Sequence, residues 1–298
     1  MSAGDAARGG GAGIRLSVEI FPPAEAEARQ RLAARLEALA PIAPGFISVT
    51  YGAGGTTRER TIEMVTRIMH DTSLEVAAHL TCVGSSRGEV ERLVDSYAAA
   101  GVHRIVALRG DPPGGLEVPY EPHPQGYRRT ADLVAAISGR GDFDISVAAY
   151  PEKHPQSPDF AADLDTLEAK LDAGAQRALT QFFFANGHFL AFIERVRARG
   201  IRSPVVPGIL PIVNFQQVKS FAARCGATIP AWLADRYEGL DDDLEARIEI
   251  GADYAAAQIG ELARAGHDTF HIYCLNRPEI VRAVAERVGA GASATAAA

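Results

Sequence analysis

Eight short runs rich in apolar and β-branched residues recur along the chain: Leu16–Phe21, Phe46–Tyr51, Glu75–Thr81, Arg104–Leu108, Asp144–Tyr150, Ala178–Phe184, Pro204–Leu210 and Thr269–Leu275. Segments with helical periodicity separate them. A strand followed by a helix, eight times over, predicts parallel strands joined by crossover helices. Eight such units in about 250 residues fit a single-domain α/β fold, the (β/α)8 TIM barrel. That fold builds its active site at the carboxyl ends of the strands. Here those ends carry Glu19, Thr50, His79, Arg109 with Asp111, Tyr150, Gln181 and Tyr273. A barrel enzyme is the expectation.

Composition narrows the class further. No Pro/Ser-rich linker or charge run interrupts the alternation in the 298 residues, and a hydrophobic content of 47% is ample for strands buried on both faces. The expected organisation is a barrel over residues 14–289 between disordered small-residue tails, 1–13 and 290–298. A net charge of −7 disfavours nucleic acid or an anionic membrane as a general partner. The amino-terminal segment has no apolar core of a secretory signal, and no 18-residue apolar run suggests a membrane span. Cys82, Cys225 and Cys274 are widely spaced and odd in number, which suits a reducing cytoplasm rather than a disulfide framework.

Helices are expected at Ala24–Leu39, from about Thr56–Arg58, and at Glu89–Ala100, Thr130–Ile137 and Phe160–Leu171. Further helices are expected at Phe189–Arg199, Phe215–Arg224, Leu244–Ala265 and from Pro278 to Val288. The longest Pro/Gly-rich stretch, Pro112–Gly126, follows the fourth strand on the catalytic side, as a lid or ligand clamp would.

Glu19 is the most telling single position. In Ser17-Val-Glu-Ile-Phe21, Val18 and Ile20 share one face while Ser17, Glu19 and Phe21 share the other. Helices cover the outside of a barrel strand, so the Glu19 face points inward. Lost hydration there disfavours the charged form, which suits a general acid; the structural alternative is a Glu paired with an inward cation. In Leu108-Arg-Gly-Asp-Pro112, Arg109 offers a forked cation for phosphate, Gly110 allows close backbone approach, and Asp111 adds a second acid. As a bare string it could equally be a turn. The glycines of Thr50-Tyr-Gly-Ala-Gly-Gly-Thr-Thr57 precede a helix but lack the Lys of a P-loop and the G-x-G-x-x-G pattern.

No metal is expected. His267 and His271 are four apart, but His271 falls in a strand, and Asp241-Asp242-Asp243 sits where acids cap a helix. Cys82, at a strand end, reads as a small buried hydrophobe rather than a nucleophile.

Taken together, several strings resemble the bacterial methylenetetrahydrofolate reductase family, short form. They are Ser17-Val-Glu-Ile-Phe-Pro-Pro23, Ser48-Val-Thr-Tyr-Gly-Ala53, His79-Leu-Thr-Cys82, Ile105-Val-Ala-Leu-Arg-Gly-Asp111 and Asp144-Ile-Ser-Val-Ala-Ala-Tyr-Pro-Glu152. The series continues in family order through Asp172-Ala-Gly-Ala175, Thr180-Gln-Phe-Phe-Phe184, Pro207-Gly-Ile-Leu-Pro211, Ile229-Pro-Ala-Trp232, Gly239-Leu-Asp-Asp-Asp243 and Leu275-Asn-Arg277.

The resemblance implies an FAD-containing barrel that reduces 5,10-methylenetetrahydrofolate to 5-methyltetrahydrofolate with NADH or NADPH, in a ping-pong scheme that feeds methionine synthesis. By that likeness Glu19 is the acid that helps open the methylene bridge, Asp111 lies near the flavin and folate rings, and Gln181 contacts the folate. Thr50, Tyr51, Ala53, His79, Arg109, Gly110, Tyr150, His154, Asp163 and Lys170 match flavin-contacting positions. Gln217, Phe221, Tyr273 and Arg277 match the shared nicotinamide and folate site. The likeness also carries an expected homo-oligomer. The chain departs from the family pattern at Arg129, Thr166 and Ala169, which leaves a flavin-weak or flavin-free folate reductase as an alternative. A folate-binding barrel without catalysis is a second one, against which the joint presence of Glu19, Asp111 and Gln181 argues.

Overall fold

The structure is a computed structural model and describes residues 13–51 and 58–291. The expected tails, apart from residues 13, 290 and 291, lie outside the described residues, and so does Ala53. Eight parallel strands close in sequence order into a barrel. They are β1 (Arg15–Ile20), β2 (Ile47–Val49), β3 (Val76–Thr81), β4 (Arg104–Leu108), β5 (Asp144–Ala149), β6 (Arg177–Phe182), β7 (Val205–Ile209) and β8 (Thr269–Tyr273). The register of closure sets Ser17 beside His271 and Glu19 beside Tyr273, and on the other edge Glu19 beside Ser48.

The outer ring consists of α1 (Ala26–Leu36), α2 (Arg58–Asp71), α3 (Arg87–Ala99), α4 (Thr130–Ser138), α5 (Phe160–Asp172) and α6 (Asn186–Ala198). It continues with α7 (Phe215–Cys225), the short α8 (Ala231–Asp235), α9 (Leu244–Arg264) and α10 (Pro278–Val288). Among the described residues no helix is long and apolar enough to cross a membrane. The first helix is shorter than its periodicity suggests. A 3₁₀ turn, Glu37–Ile42, replaces its end because Pro41 cannot donate the next helical hydrogen bond, and Ala43 closes the turn in the left-handed region. Start signals are local: Ser86 and Glu89 form a reciprocal capping box on α3, and Asp159 accepts from Ala162 N–H on α5. Asp243 caps α9 through Ala246 N–H, the structural role expected for the acidic triplet.

Outward-facing strand residues such as Val18, Ile20, Ile145 and Ile272 are buried against the helices in the main core. A separate small cluster fills the barrel interior: Phe46, Ala77, Val106, Leu179 and Val206. Each of the four larger side chains removed from water contributes roughly 1.5–3 kcal/mol. This apolar layer is a floor on which the polar carboxyl-end residues stand.

Candidate functional site

Two adjoining cavities open at the carboxyl ends of the strands. One, of about 320 Å³, is lined by Arg109, Gly110, Asp111, His154, Asp163 and Lys170, among others. The other, of about 330 Å³, is lined by Glu19, Thr50, His79, Gln181, Phe221 and Tyr273, among others. Tyr51, Leu108, Ala148 and Tyr150 line both, so the two lie side by side. The residues expected from the sequence thus fall into a group around a basic chamber and a group around Glu19. Gln217 and Arg277 line neither cavity. Gln217 is exposed at the start of α7, where its N–H caps onto Asn214, and Arg277 lies just before α10 with Glu279 3.8 Å away.

In the basic chamber, Arg109 Nη2 donates to Gln156 Oε1 at 2.7 Å and lies 3.9 Å from Asp111 Oδ1. Its guanidinium sits over the Tyr120 ring, 4.8 Å from the centroid. Gln156 in turn donates to the carbonyls of Leu116 and Val118. The Pro/Gly-rich stretch is therefore folded against the chamber by Tyr120 and Gln156, two residues that sequence reasoning missed because loop contacts have no periodicity. Gly110 has φ +81°, and a Cβ there would meet Val83 Cγ1 at 2.5 Å, so only glycine fits between Arg109 and Asp111.

Lys170 is buried. Its Nζ donates to Ala148 O at 2.6 Å, and among the described residues this is the one hydrogen bond it makes. Burial pushes its ammonium down to about 8, partly opposed by Asp163. Asp163 accepts from Ser157 Oγ and from His154 N–H. His154 stands edge-on to Tyr150, 4.6 Å between centroids, and burial with the nearby Arg109 charge holds it below the usual imidazole range. Gln156 N–H donates to His154 Nδ1, which places the imidazole proton on Nε2. Arg129 points elsewhere: it pairs with Asp132 on the exposed start of α4. Thr166 lines the chamber but donates its hydroxyl back to Ala162 O.

The second chamber is built differently. Glu19, 22% exposed at its side chain, presents Oε2 to two imidazoles, His79 Nε2 at 3.4 Å and His271 Nε2 at 3.7 Å. Among the described residues no Lys or Arg nitrogen lies within 4 Å of it, so the alternative of a structural Glu–cation pair is not what forms. His79 is lowered by burial, opposed by Glu19 and reinforced by His271. Tyr273 donates its hydroxyl to Thr180 O at 2.7 Å, above Gly208, where a Cβ would come within 2.6 Å of the Tyr273 ring. Burial raises the Tyr273 phenol far above its ordinary value. Cys225, also lining this chamber, is pushed up to about 11 and is a poor nucleophile. Cys82 is likewise buried and raised.

Sequence reasoning weighed His271 only as a metal ligand and gave Ser17 no role beyond its place on the Glu19 face. The signal was present: His271 is two residues before Tyr273 and Ser17 two before Glu19, so each shares the inward face of its strand. Chemically, a phosphate-ready basic chamber adjoins one in which a carboxyl group stands among imidazoles and aromatic rings. Among the described residues no group of three His, Cys, Asp or Glu side chains gathers as a metal site would.

Residues 8–289 match the methylenetetrahydrofolate reductase family. The chain is 43% identical over 277 residues to the 5,10-methylenetetrahydrofolate reductase of Escherichia coli (strain K12), covering 93% of this chain and 91% of that protein. It is 42% identical to the protein of the same name from Pectobacterium carotovorum subsp. carotovorum, covering 93% and 90%. Among solved structures, a Clostridium thermocellum protein described as binding two copies of 5-methyl-5,6,7,8-tetrahydrofolic acid shares the fold, with a TM-score of 0.63. Its sequence identity is 14%, over 93% of this chain and 94% of that one.

Proposed function

The chain belongs to the methylenetetrahydrofolate reductase family and reduces 5,10-methylenetetrahydrofolate, and we propose that it does so with bound FAD and with NADH or NADPH as reductant. The observation that carries this reading is the adjacency of the two chambers, which share Tyr51 and Tyr150 in their walls, with Glu19 lining one and Arg109 and Lys170 the other.

The chamber fits a dinucleotide flavin on two counts. Lys170 is a buried ammonium with three donors, and Ala148 O takes only one of them, so an anion completes its shell. Arg109 supplies a fork suited to phosphate oxygens, and Gly110 lets the backbone approach closely. Thr50, Tyr51, Ala53, His79, Tyr150, His154 and Asp163 are assigned to the remaining flavin contacts. Bound FAD supplies hydride transfer between the nicotinamide and the folate.

The protein's own groups do the rest. Glu19 gives its proton to a folate nitrogen, so that the five-membered ring opens to the electrophilic iminium. Gln181 and Asp111 hold the pterin, and Phe221 and Tyr273 form apolar walls that both ring systems use in turn. Gln217 and Arg277 join the site once their side chains turn inward. The same reading carries a homo-oligomeric, cytoplasmic enzyme that supplies methyl groups for methionine. The pairing of Arg129 with Asp132 outside the basic chamber, and the Thr166 hydroxyl spent on Ala162 O, favour looser flavin binding as a second reading, in which the purified protein is pale until FAD is added.

The visible spectrum tests the proposal directly. The protein should be yellow or become so with FAD, bleach with NADH, and recover with methylenetetrahydrofolate. Varying both substrates should give parallel double-reciprocal lines. Intersecting lines, with both substrates required at once, overturn the two-stage scheme.

A further inference from the structure

Beneath Glu19, β1 and β8 bring a second polar pair into the barrel interior. β1 and β8 pair so that Ser17 lies opposite His271, and Ser17 Oγ is 2.8 Å from His271 Nδ1. The same hydroxyl donates to Phe270 O at 3.3 Å. A hydroxyl has one proton, so with that proton on Phe270 O the oxygen is left to accept from Nδ1–H. The 2.8 Å contact fits either tautomer; the arrangement with the Ser17 proton on Phe270 O is the one that puts the His271 proton on Nδ1 and leaves Nε2 as a bare lone pair. That Nε2 is fully buried, has no hydrogen-bond partner among the described residues, and faces Glu19 Oε2. His79 Nε2, equally buried and unpartnered, faces the same oxygen.

A carboxylate facing a bare His271 Nε2 meets a lone pair instead of a donor, and burial makes that costly. A protonated carboxyl meets an acceptor. We propose that Ser17 and His271 are a positioning pair: Ser17 fixes His271 as the Nδ1–H tautomer, and His271 Nε2 accepts the Glu19 proton, holding Glu19 as a neutral acid ready for the folate. The inference rests on the reading of Glu19 as the proton donor.

Other groups around Glu19 do not compete for the role. Tyr273, from β8, spends its proton on Thr180 O. Cys274 donates to the Glu19 backbone carbonyl at 3.2 Å, not to its side chain. Cys225, from α7, stays a neutral thiol. His271 itself is packed between the rings of Phe46 and Tyr273, with centroids 5.8 and 5.1 Å away, which prevents it from swinging out to solvent. The 3.4 and 3.7 Å separations exceed a formed hydrogen bond and must tighten when substrate packs above Glu19, as catalytic contacts commonly do.

Nitrogen-15 histidine NMR of the intact holoenzyme reads the tautomer without any turnover. The His271 signals, identified by their loss in His271→Asn, should show the Nδ1–H form, and Ser17→Ala should mix the two forms while Ser17→Thr preserves one. An Nε2–H form in the wild type overturns the proposal.

Kinetics supply the second arm. His271→Asn keeps a polar group toward Ser17 but removes the Nε2 acceptor. The pH above which reoxidation by methylenetetrahydrofolate fails should move down by about one unit, so the rate at neutral pH falls about tenfold and recovers in acid. Ser17→Ala should shift the same way by less. A purely structural role predicts loss at every pH and in the NADH half-reaction too, and an unmoved pH profile also refutes the pair. If Glu19→Gln leaves folate reduction intact, the reading of Glu19 fails instead. If Glu19→Gln abolishes it while His271→Asn has a wild-type profile, only the present inference fails.

Discussion

The two ends of the barrel use the same eight strands and opposite electrostatics. At the amino ends, Arg15 pairs with Asp268 at 2.9 Å, and Asp144 is clamped between Arg104 and Arg177. There each acid meets a guanidinium, and the charges are consumed in holding strands together. At the carboxyl ends, among the described residues, Glu19 meets imidazoles and no Lys or Arg, and Lys170 has one carbonyl for its three donors. The difference teaches where function can reside: a saturated pair has nothing left to offer a ligand, whereas an incompletely partnered group is held in reserve by the rigid scaffold around it.

The sharpest attempt to break that contrast is Glu19→Gln. It keeps the size and a hydrogen-bond donor but removes the transferable proton. Reoxidation by methylenetetrahydrofolate should slow by at least about 10²-fold, the usual loss on removing a general acid, while flavin reduction by NADH changes far less. Stopped-flow absorbance of each half-reaction separates them, and equal losses in both would make Glu19 as structural as Asp144.

The converse experiment is at the basal end. Asp144→Ala leaves Arg104 and Arg177 facing each other without their shared acceptor, and should cost about 2 kcal/mol of stability, a value tempered by their partial exposure. Chemical denaturation measures the loss. Turnover per folded molecule should be unchanged, and a kcat defect at full folding would show that the floor does not insulate the two ends.

Lys170 gives a smaller effect with a definite pH signature. Its value of about 8 in the fold lies below the ordinary 10.5. The unfolded chain therefore binds more protons between those values, so the cost of the buried charge is fully present below about 8 and stability rises with pH from there to about 10.5. An anionic cofactor favours the ammonium, so FAD affinity should fall as pH climbs above about 8. Lys170→Met should abolish this pH dependence and weaken FAD binding about tenfold at neutral pH, as for loss of one charge-assisted hydrogen bond. Flavin fluorescence titration reads both, and a pH-independent wild-type affinity removes Lys170 from the phosphate contacts.

The mildest change is expected at Asp111, which is 52% exposed at its side chain and lies 3.9 Å from Arg109. Its negative charge disfavours an anionic reduced ring, so Asp111→Asn should raise the flavin midpoint potential and lower folate turnover severalfold, because each factor of ten in rate corresponds to only about 1.4 kcal/mol. Spectroelectrochemical titration checks the potential. An unmoved potential would place Asp111 with the structural acids of the basal end.

What could be read in the sequence was what strand periodicity and local chemistry control. Alternation in Ser17–Phe21 turned Glu19 inward before any fold was known, and the strand–helix rhythm implied the closed barrel, since both depend on neighbours one or two residues apart. The Asp243 cap and the close approach at Gly110 are local in the same sense. Only the tertiary structure decided that Ser17 meets His271, 254 residues away, because the register of β1 on β8 is set when the barrel closes. It likewise decided that Gln156 ties Arg109 to the Pro/Gly-rich stretch, and that Gln217 and Arg277 stand outside both chambers. Periodicity fixes which face of an element a side chain occupies; which face of another element it meets follows from closure and packing, and those are properties of the whole chain.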